Sequence, residues 1–272
     1  MIIVTAACTD IGMREIQQDS YGHTHDKDIA ALLVADGNGG PGGGELAKSV
    51  VISADKNLRN KSLWSFRRRI ETKDQLKSLG IDTLNKAAEH VKSLKECNQE
   101  WDNAGTTATL AIITPNHVGC FWVGDSCAYM YQVGDLIKLT SPIHTLAEEM
   151  IKNGESTDIL EKQPFLNSIL TRCVGHESHA PDSVIVDITN PFLLIVGSDG
   201  VFGFLDESEI KQIIHSTLSP DFNIQKIADE IVKRSLEQGS DDNVTVIVSL
   251  VLPSQQAKKT FKRITKVRDW SI

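Results

Sequence analysis

Three acidic residues stand where apolar runs open: IAALLVA ends in Asp36-Gly37, FLLIVGS ends in Asp199-Gly200, and Asp242-Asn243 immediately precedes VTVIVSLVL. A carboxylate at the mouth of a buried strand, beside a residue as permissive as glycine, is placed to meet a ligand. Asp-Gly is also a common turn dipeptide, so each one alone reads equally well as a turn. Their repetition favours a shared site. In an antiparallel sheet the start of one strand lies beside the end of its neighbour, which allows the three to meet on one rim. Carboxylates at close quarters repel, and Lys and Arg are scarce in all three segments. A divalent cation resolves that conflict, and an all-oxygen set without His or Cys at ligand spacing favours Mg2+ or Mn2+ over Zn2+.

The strands that must deliver these residues are legible as short apolar or alternating runs. MIIVTAAC, IAALLVA, TATLAIIT, HVGCFWV, CAYMYQV, SVIVDI, FLLIVG and VTVIVSLVL each have strand length and are bounded by Gly, Asp, Asn or Pro. Helical periodicity joins Leu84, Ala87, Ala88, Val91 and Leu94, and again Ile224, Ile227, Ala228, Ile231 and Val232. Asp206 and Glu209 form a capping-box-like pair ahead of Ile210, Ile213 and Ile214. Strands follow one another from Thr107 to Val133 with only tight turns, which argues for antiparallel pairing and against a doubly wound parallel sheet. The expectation is an α+β fold of packed sheets with helices outside. The polar stretch from Asn57 to Lys77 reads as a long loop.

Composition narrows the class further. The chain has 272 residues, 40% hydrophobic and 24% charged, enough for a large self-sufficient core. Five cysteines without a CxxC pair imply reduced thiols and not a disulfide framework. No apolar run reaches the ~18 residues of a membrane span, and the first residues carry no basic segment of a secretory signal, so a cytoplasmic monomer is expected. The organisation reads as a body over 1–252 and a basic tail over 253–272. The tail holds six Lys/Arg and one Asp, leaving 22 Lys/Arg against 35 Asp/Glu, or -13, on the body. So acidic a surface is unsuited to nucleic acid.

Several other patterns compete for a function. Gly37, Gly39 and Gly42 satisfy G-x-G-x-x-G between a strand and a helix beginning near Glu45, but Asp36 would repel a pyrophosphate and Pro41 interrupts the turn. Cys173 suggests a thiol nucleophile, yet the Cys-x5-Arg loop is absent, since His179 stands six places on. Gly124-Asp125 and Gly134-Asp135 both read as hairpin turns. His144, His176 and His179 read as surface or loop residues, and Arg67, Arg68 and Arg69 as a solvated basic run.

Taken in order, GMREIQQDSYG, LLVADGNGGPGGGELAKS, AGTTATLAII, WVGDSCAYMY, LNSILTRCVG, LLIVGSDGVFGFL and SDDNVTVIV resemble the metal-dependent protein phosphatase 2C family, the PPM-type serine/threonine phosphatases, in their compact bacterial form. The resemblance runs from residue 12 to about 248. It implies two antiparallel sheets flanked by helix pairs, a four-layer α-β-β-α sandwich, with two Mn2+ or Mg2+ ions at one end. By the same resemblance Asp36 bridges both metals, the Gly37 carbonyl binds the second, and Asp199 and Asp242 bind the first. Asp19 acts through metal-bound water, Asp125 touches a third, weakly held metal, and Arg14 grips the substrate phosphate, whose hydrolysis by metal-activated water is the implied reaction. The implied partners are phosphoserine- or phosphothreonine-bearing proteins and a cognate kinase in signal transduction.

Departures from the family pattern are Gln18 for Glu, Asn38 for a histidine of eukaryotic members, Cys127 for Arg, and a TSPIHT string lacking its Asp. Cys127 and that string are expected beside the flap that recognises substrate. The alternative function they leave open is a catalytically weak phosphoprotein-binding module of the same fold.

Overall fold

The structure is a computed structural model that describes every residue except 27–28, 61–69, 156–158, 160–161, 218–222 and 254–272. The basic run at Arg67, Arg68 and Arg69 and nearly all of the expected tail thus lie outside the described residues.

Among the described residues eleven strands form two sheets: β1 (Ile2–Asp10), β2 (Asp19–Asp26), β3 (Ile29–Asn38), β4 (Gly105–Thr106), β5 (Ala108–Ile113), β6 (His117–Val123), β7 (Cys127–Gln132), β8 (Asp135–Lys138), β9 (Asp182–Asp187), β10 (Phe192–Gly197) and β11 (Val244–Leu252). One sheet has the order β1-β11-β10-β7-β8, the other β2-β3-β5-β6-β9 with β4 added to β3, and the strand pairs are antiparallel. Helices α1 (Gly43–Asn60) and α2 (Lys73–Glu96) cover the second sheet, while α5 (Glu207–Thr217) and α6 (Ile224–Glu237) cover the first. Two short helices, α3 (Leu146–Lys152) and α4 (Asp199–Phe202), lie between.

The continuous apolar runs follow from this layering. Successive residues of a strand point to opposite faces, and here both faces are covered. Leu32 and Val34 enter the core between the sheets with Ile113, Val196 and Ile247, whereas Ala31, Leu33 and Ala35 face α1 and α2. Ile195, Val246 and Val248 pack under Ile210, Ile213, Ile227 and Ile231 of α5 and α6. The expected α+β sandwich is present, and so is the reciprocal cap at Asp206 and Glu209, whose backbone N–H groups each donate to the other's carboxylate at 3.0 and 2.8 Å.

Two expectations are corrected. The stretch from Asn57 to Lys77 is not one long loop, because α1 continues to Asn60 and α2 begins at Lys73 behind a full capping box at Thr72. Gly124-Asp125 is not a hairpin turn. Strand β6 belongs to one sheet and β7 to the other, so this dipeptide carries the chain across the sandwich. Gly134-Asp135 does close a hairpin, between β7 and β8.

Candidate metal centre

Two of the three strand-mouth aspartates share a sheet. Asp199 and Asp242 flank the paired ends of β10 and β11, where Gly197 lies opposite Val246. Asp36 arrives from the other sheet, near the end of β3, which runs on through Gly37 opposite Thr106. The site therefore straddles the open edge of the sandwich instead of lining one sheet's rim. A third carboxylate comes from the crossing turn: ligand oxygens of Asp36, Asp125 and Asp199 all lie within 4.8 Å of one another. Asp125 is buried; Asp36 and Asp199 are partly exposed.

Asp19 completes the acidic group from β2, where it pairs with Asp36. Its Oδ2 accepts from Ser198 Oγ at 2.8 Å, and Ser198 Oγ accepts in turn from the Thr245 N–H at 3.1 Å. Thr107 fixes the other side. Its N–H donates to the Asp36 carbonyl at 2.8 Å, and its Oγ1 accepts from the Asp36 N–H at 3.0 Å. The Thr107 hydroxyl proton is then free to donate to Ser126 Oγ at 2.7 Å, beside Asp125.

Electrostatics show what this arrangement costs without a cation. Burial pushes Asp125 up to about 8, helped by the charge of Asp199. Burial also pushes Asp19 up to about 7 against the hydrogen bonds of Thr245 and Ser198, with Asp199 and Asp242 adding to the rise. Asp36 is held well above the carboxylate range by burial and then by Asp199, Asp19 and Asp125. Burial raises Asp199 as well. Its Oδ1 is buried without a hydrogen-bond partner among the described residues. Carboxylates that repel one another, one of them with an orphaned oxygen, fit a hard divalent cation of oxygen preference.

Arg14 stands at the rim, and its position modifies the expectation that no protein cation balances the cluster. Its Nη2 donates to Asp242 Oδ2 at 2.8 Å and its Nε to the Asp241 carbonyl at 3.0 Å. Half of the side chain remains exposed. Such an exposed pair is worth only about 0–1 kcal/mol, so a phosphate dianion can compete for the guanidinium.

The structure thus gathers Arg14, Asp19, Asp36, Gly37, Asp125, Asp199 and Asp242 at one edge. Sequence reasoning did not identify their supports. Asn243 accepts from the Gln18 N–H at 2.7 Å and donates from Nδ2 to the carbonyls of Ile11 and Ile16 at 2.9 and 3.2 Å, clamping the loop that carries Arg14. Its place directly after Asp242 was the available signal; Ser198, Thr107 and Ser126 had none beyond adjacency to an aspartate.

The remaining candidates sort as follows. Cys127 is buried in the core: its thiol donates to the Asp125 carbonyl at 3.2 Å, and burial pushes it up to about 11. His144 is likewise not a surface residue, being 3% exposed. His176 is exposed and His179 partly so. Burial holds the Cys173 thiol up at about 11, which disfavours the thiolate a nucleophile needs. The glycine-rich segment is built into an antiparallel sheet through Gly37, and Gln18 Nε2 donates to the Gly40 carbonyl at 3.2 Å. Among the described residues no βαβ unit surrounds it.

A sandwich of this topology with carboxylates gathered at its open edge defines a class of metal-dependent phosphohydrolase. Residues 11–238 match the family described as Protein phosphatase 2C, and the chain belongs to that family of serine/threonine protein phosphatases. It is 25% identical over 247 residues to the serine/threonine phosphatase stp of Listeria innocua, covering 88% of this chain and 92% of that one. It is 28% identical over 221 residues to a putative protein phosphatase of Mycoplasma pneumoniae, covering 79% and 82%. Among solved structures, the PPM Ser-Thr phosphatase MsPP of Mycobacterium smegmatis in complex with cacodylate superposes with a TM-score of 0.70 at 26% identity, covering 92% of this chain and 98% of that one. The catalytic domain of the phosphatase PstP with two manganese ions shares the fold, with a TM-score of 0.73 at 21% identity over 92% and 98% of the chains.

Proposed function

We propose that this protein hydrolyses phosphoserine and phosphothreonine in other proteins with the help of Mn2+ or Mg2+ held at the edge of the sandwich. The observation that carries the reading is the convergence of Asp36, Asp125 and Asp199 within 4.8 Å of one another, beside Asp19 and with Arg14 at the rim. Asp36, the Gly37 carbonyl, Asp199, Asp242 and Asp19 would hold two ions, and Asp125 a third, weaker one. Ions bound there would screen the phosphate charge and acidify a water for in-line attack on phosphorus.

The chain's own side chains do the rest. Arg14 exchanges its rim contact with Asp242 for phosphate oxygens, and so orients the ester. Asn38, near the end of β3, has no proton to give as an acid, so the leaving serine or threonine oxygen is protonated from solvent. Ser198 and Thr107 keep Asp19 and Asp36 in place.

The domain of this activity is residues 1–252. On this reading the protein acts as a cytoplasmic monomer on targets of a cognate serine/threonine kinase in signal transduction. The test is phosphate release from p-nitrophenyl phosphate and from a phosphothreonine peptide with added Mn2+. Turnover that requires Mn2+ and stops in EDTA is expected; undiminished turnover in excess EDTA overturns the reading.

A further inference from the structure

The turn that carries Asp125 is held by a residue outside the acidic group. His144 lies in the segment between β8 and α3, and its backbone N–H donates to the Gly124 carbonyl at 3.0 Å. In return the Gly124 N–H donates to the ring Nδ1 of His144 at 3.0 Å. Because Gly124 can only donate there, Nδ1 must be unprotonated, and the ring proton belongs to Nε2. Nε2 faces Asp182 Oδ2 at 3.1 Å, a carboxylate that accepts this proton and selects the tautomer. Arg172 Nη1 stands 3.3 Å from Nε2, donor against donor, and is satisfied by Asp182 Oδ2 at 3.4 Å and the Ala180 carbonyl at 3.3 Å. Trp122 stacks along the ring at 6.3 Å between centroids.

We propose that His144 is a positioning residue for the metal centre: its Nδ1 and backbone N–H fix the Gly124-Asp125 turn so that the Asp125 carboxylate faces Asp36 and Asp199, and Asp182 acts through it by holding the tautomer. The inference rests on the reading of Asp125 as a ligand of the weak metal. Beyond Asp125 the turn is held through Ser126, whose Oγ meets Thr107 Oγ1 at 2.7 Å and whose carbonyl accepts from Thr109 Oγ1 at 2.8 Å; ahead of Asp125 both polar backbone groups of Gly124 go to His144. The Cys127 thiol is a weak donor, and the crossing between sheets leaves Gly124 outside both ladders. Partners that orient a ligand from behind typically affect metal affinity 10–100-fold.

The experiment is Mn2+ binding to the full chain without substrate, followed by calorimetry and by the spin-resonance signal of free Mn2+, alongside Mn2+ titration of activity. Asp125→Asn sets the reference and should weaken the weakest site about tenfold while the tighter sites stay. His144→Ala should weaken the same site to a similar degree, and the double variant should be no worse than either single one. His144→Asn keeps an acceptor for the Gly124 N–H and should recover most of the affinity. Asp182→Ala, at a half-exposed position, lets the ring proton move to Nδ1 against that N–H and should weaken the site by a smaller factor. If Asp125→Asn weakens Mn2+ binding but neither His144→Ala nor Asp182→Ala does, the positioning role is overturned and the ligand reading stands. If Asp125→Asn itself changes nothing, the ligand reading falls and the positioning role with it. Should His144→Ala not fold, His144→Asn and Asp182→Ala decide, and an Asp182→Ala protein with unaltered Mn2+ binding refutes the proposal.

Discussion

Gly124-Asp125 and Gly134-Asp135 are the same dipeptide, ten residues apart in the sequence, and they do different work. At the second, Val133 and Gly134 both adopt positive φ, 55° and 86°, between the paired residues Gln132 and Asp135. This is the mirror-type turn that suits the twist of a hairpin. Asp135 is exposed, and a Cβ on Gly134 would meet nothing within 4 Å. At the first, Gly124 has φ 102° and a Cβ there would lie 2.6 Å from Thr107 Cγ2. Asp125 is 7% exposed. The difference lies in what the dipeptide connects. A link within one sheet puts its polar residue into water, whereas a link between two sheets directs it into the sandwich edge, where other carboxylates wait.

The sharpest way to break that contrast is to remove the charge they share. Asp36→Asn, which takes one carboxylate charge from the centre of the group, should lower turnover of p-nitrophenyl phosphate by about a thousandfold or more if this group holds the metals as proposed, since such ions supply several kcal/mol to the transition state. Asp135→Asn should leave turnover unchanged. Equal damage from the two would remove the distinction between site and turn.

The glycines sharpen it next. Gly134→Ala pays only for the left-handed backbone, about 1–2 kcal/mol. Gly124→Ala meets that cost and a collision with Thr107, whose hydroxyl holds Asp36 and Ser126, so the loss should exceed about 3 kcal/mol and show in urea midpoints. Similar midpoints for both variants would mean that the crossing turn is as free as the hairpin.

Asp125→Asn against Asp135→Asn is the direct comparison. The first should lower kcat about tenfold and raise the Mn2+ concentration for half activity, because a neutral amide oxygen holds a divalent ion less well than a carboxylate. The second should do neither. Indistinguishable Mn2+ titrations would make Asp125 a turn residue.

These contrasts also mark what the sequence could disclose. The strands were legible because burial on both faces makes them continuous apolar runs, and Asp36, Asp199 and Asp242 were legible as the acids that interrupt those runs. Strand β2 was not, since DSYGHTHD lies at a sheet edge and mixes polar and apolar residues without an apolar pattern. Its pairing, which puts Asp19 opposite Asp36, appears only in three dimensions. The crossing at Asp125 was hidden for a related reason: a tight Gly-Asp link looks the same whether the next strand pairs with the last or leaves for the other sheet. His144 does lie in a loop, but its burial was not legible, because it comes from partners that only the fold brings together: the Gly124 N–H, Asp182 and the stacked ring of Trp122.

The last contrast concerns stability without metal. In EDTA, Asp125 holds its proton up to about 8 in the folded protein, against 3.8 for an unburied carboxylate. Between these values the unfolded chain has released a proton that the folded chain keeps. Raising the pH through this window therefore costs stability, which is fully present below about 4 and lost above about 8. Asp19, at about 7, acts in the same direction. His144 and His23, held below their ordinary range by burial, act oppositely, because the unfolded chain binds their protons first and stability rises as pH climbs to about 6.5. The net slope of the wild-type protein mixes these contributions, so the informative quantity is a difference between variants. Asp125→Asn deletes one falling contribution and should gain in Tm relative to wild type as the pH rises from 5 to about 8 in EDTA. With saturating Mn2+ the order should reverse, since the ion favours the ionised carboxylate that the variant lacks. Asp135→Asn, run in parallel, removes an exposed carboxylate from the hairpin and is the control. A Tm difference between Asp125→Asn and wild type that stays constant across this range in EDTA would mean that Asp125 does not carry the burial cost assigned to it.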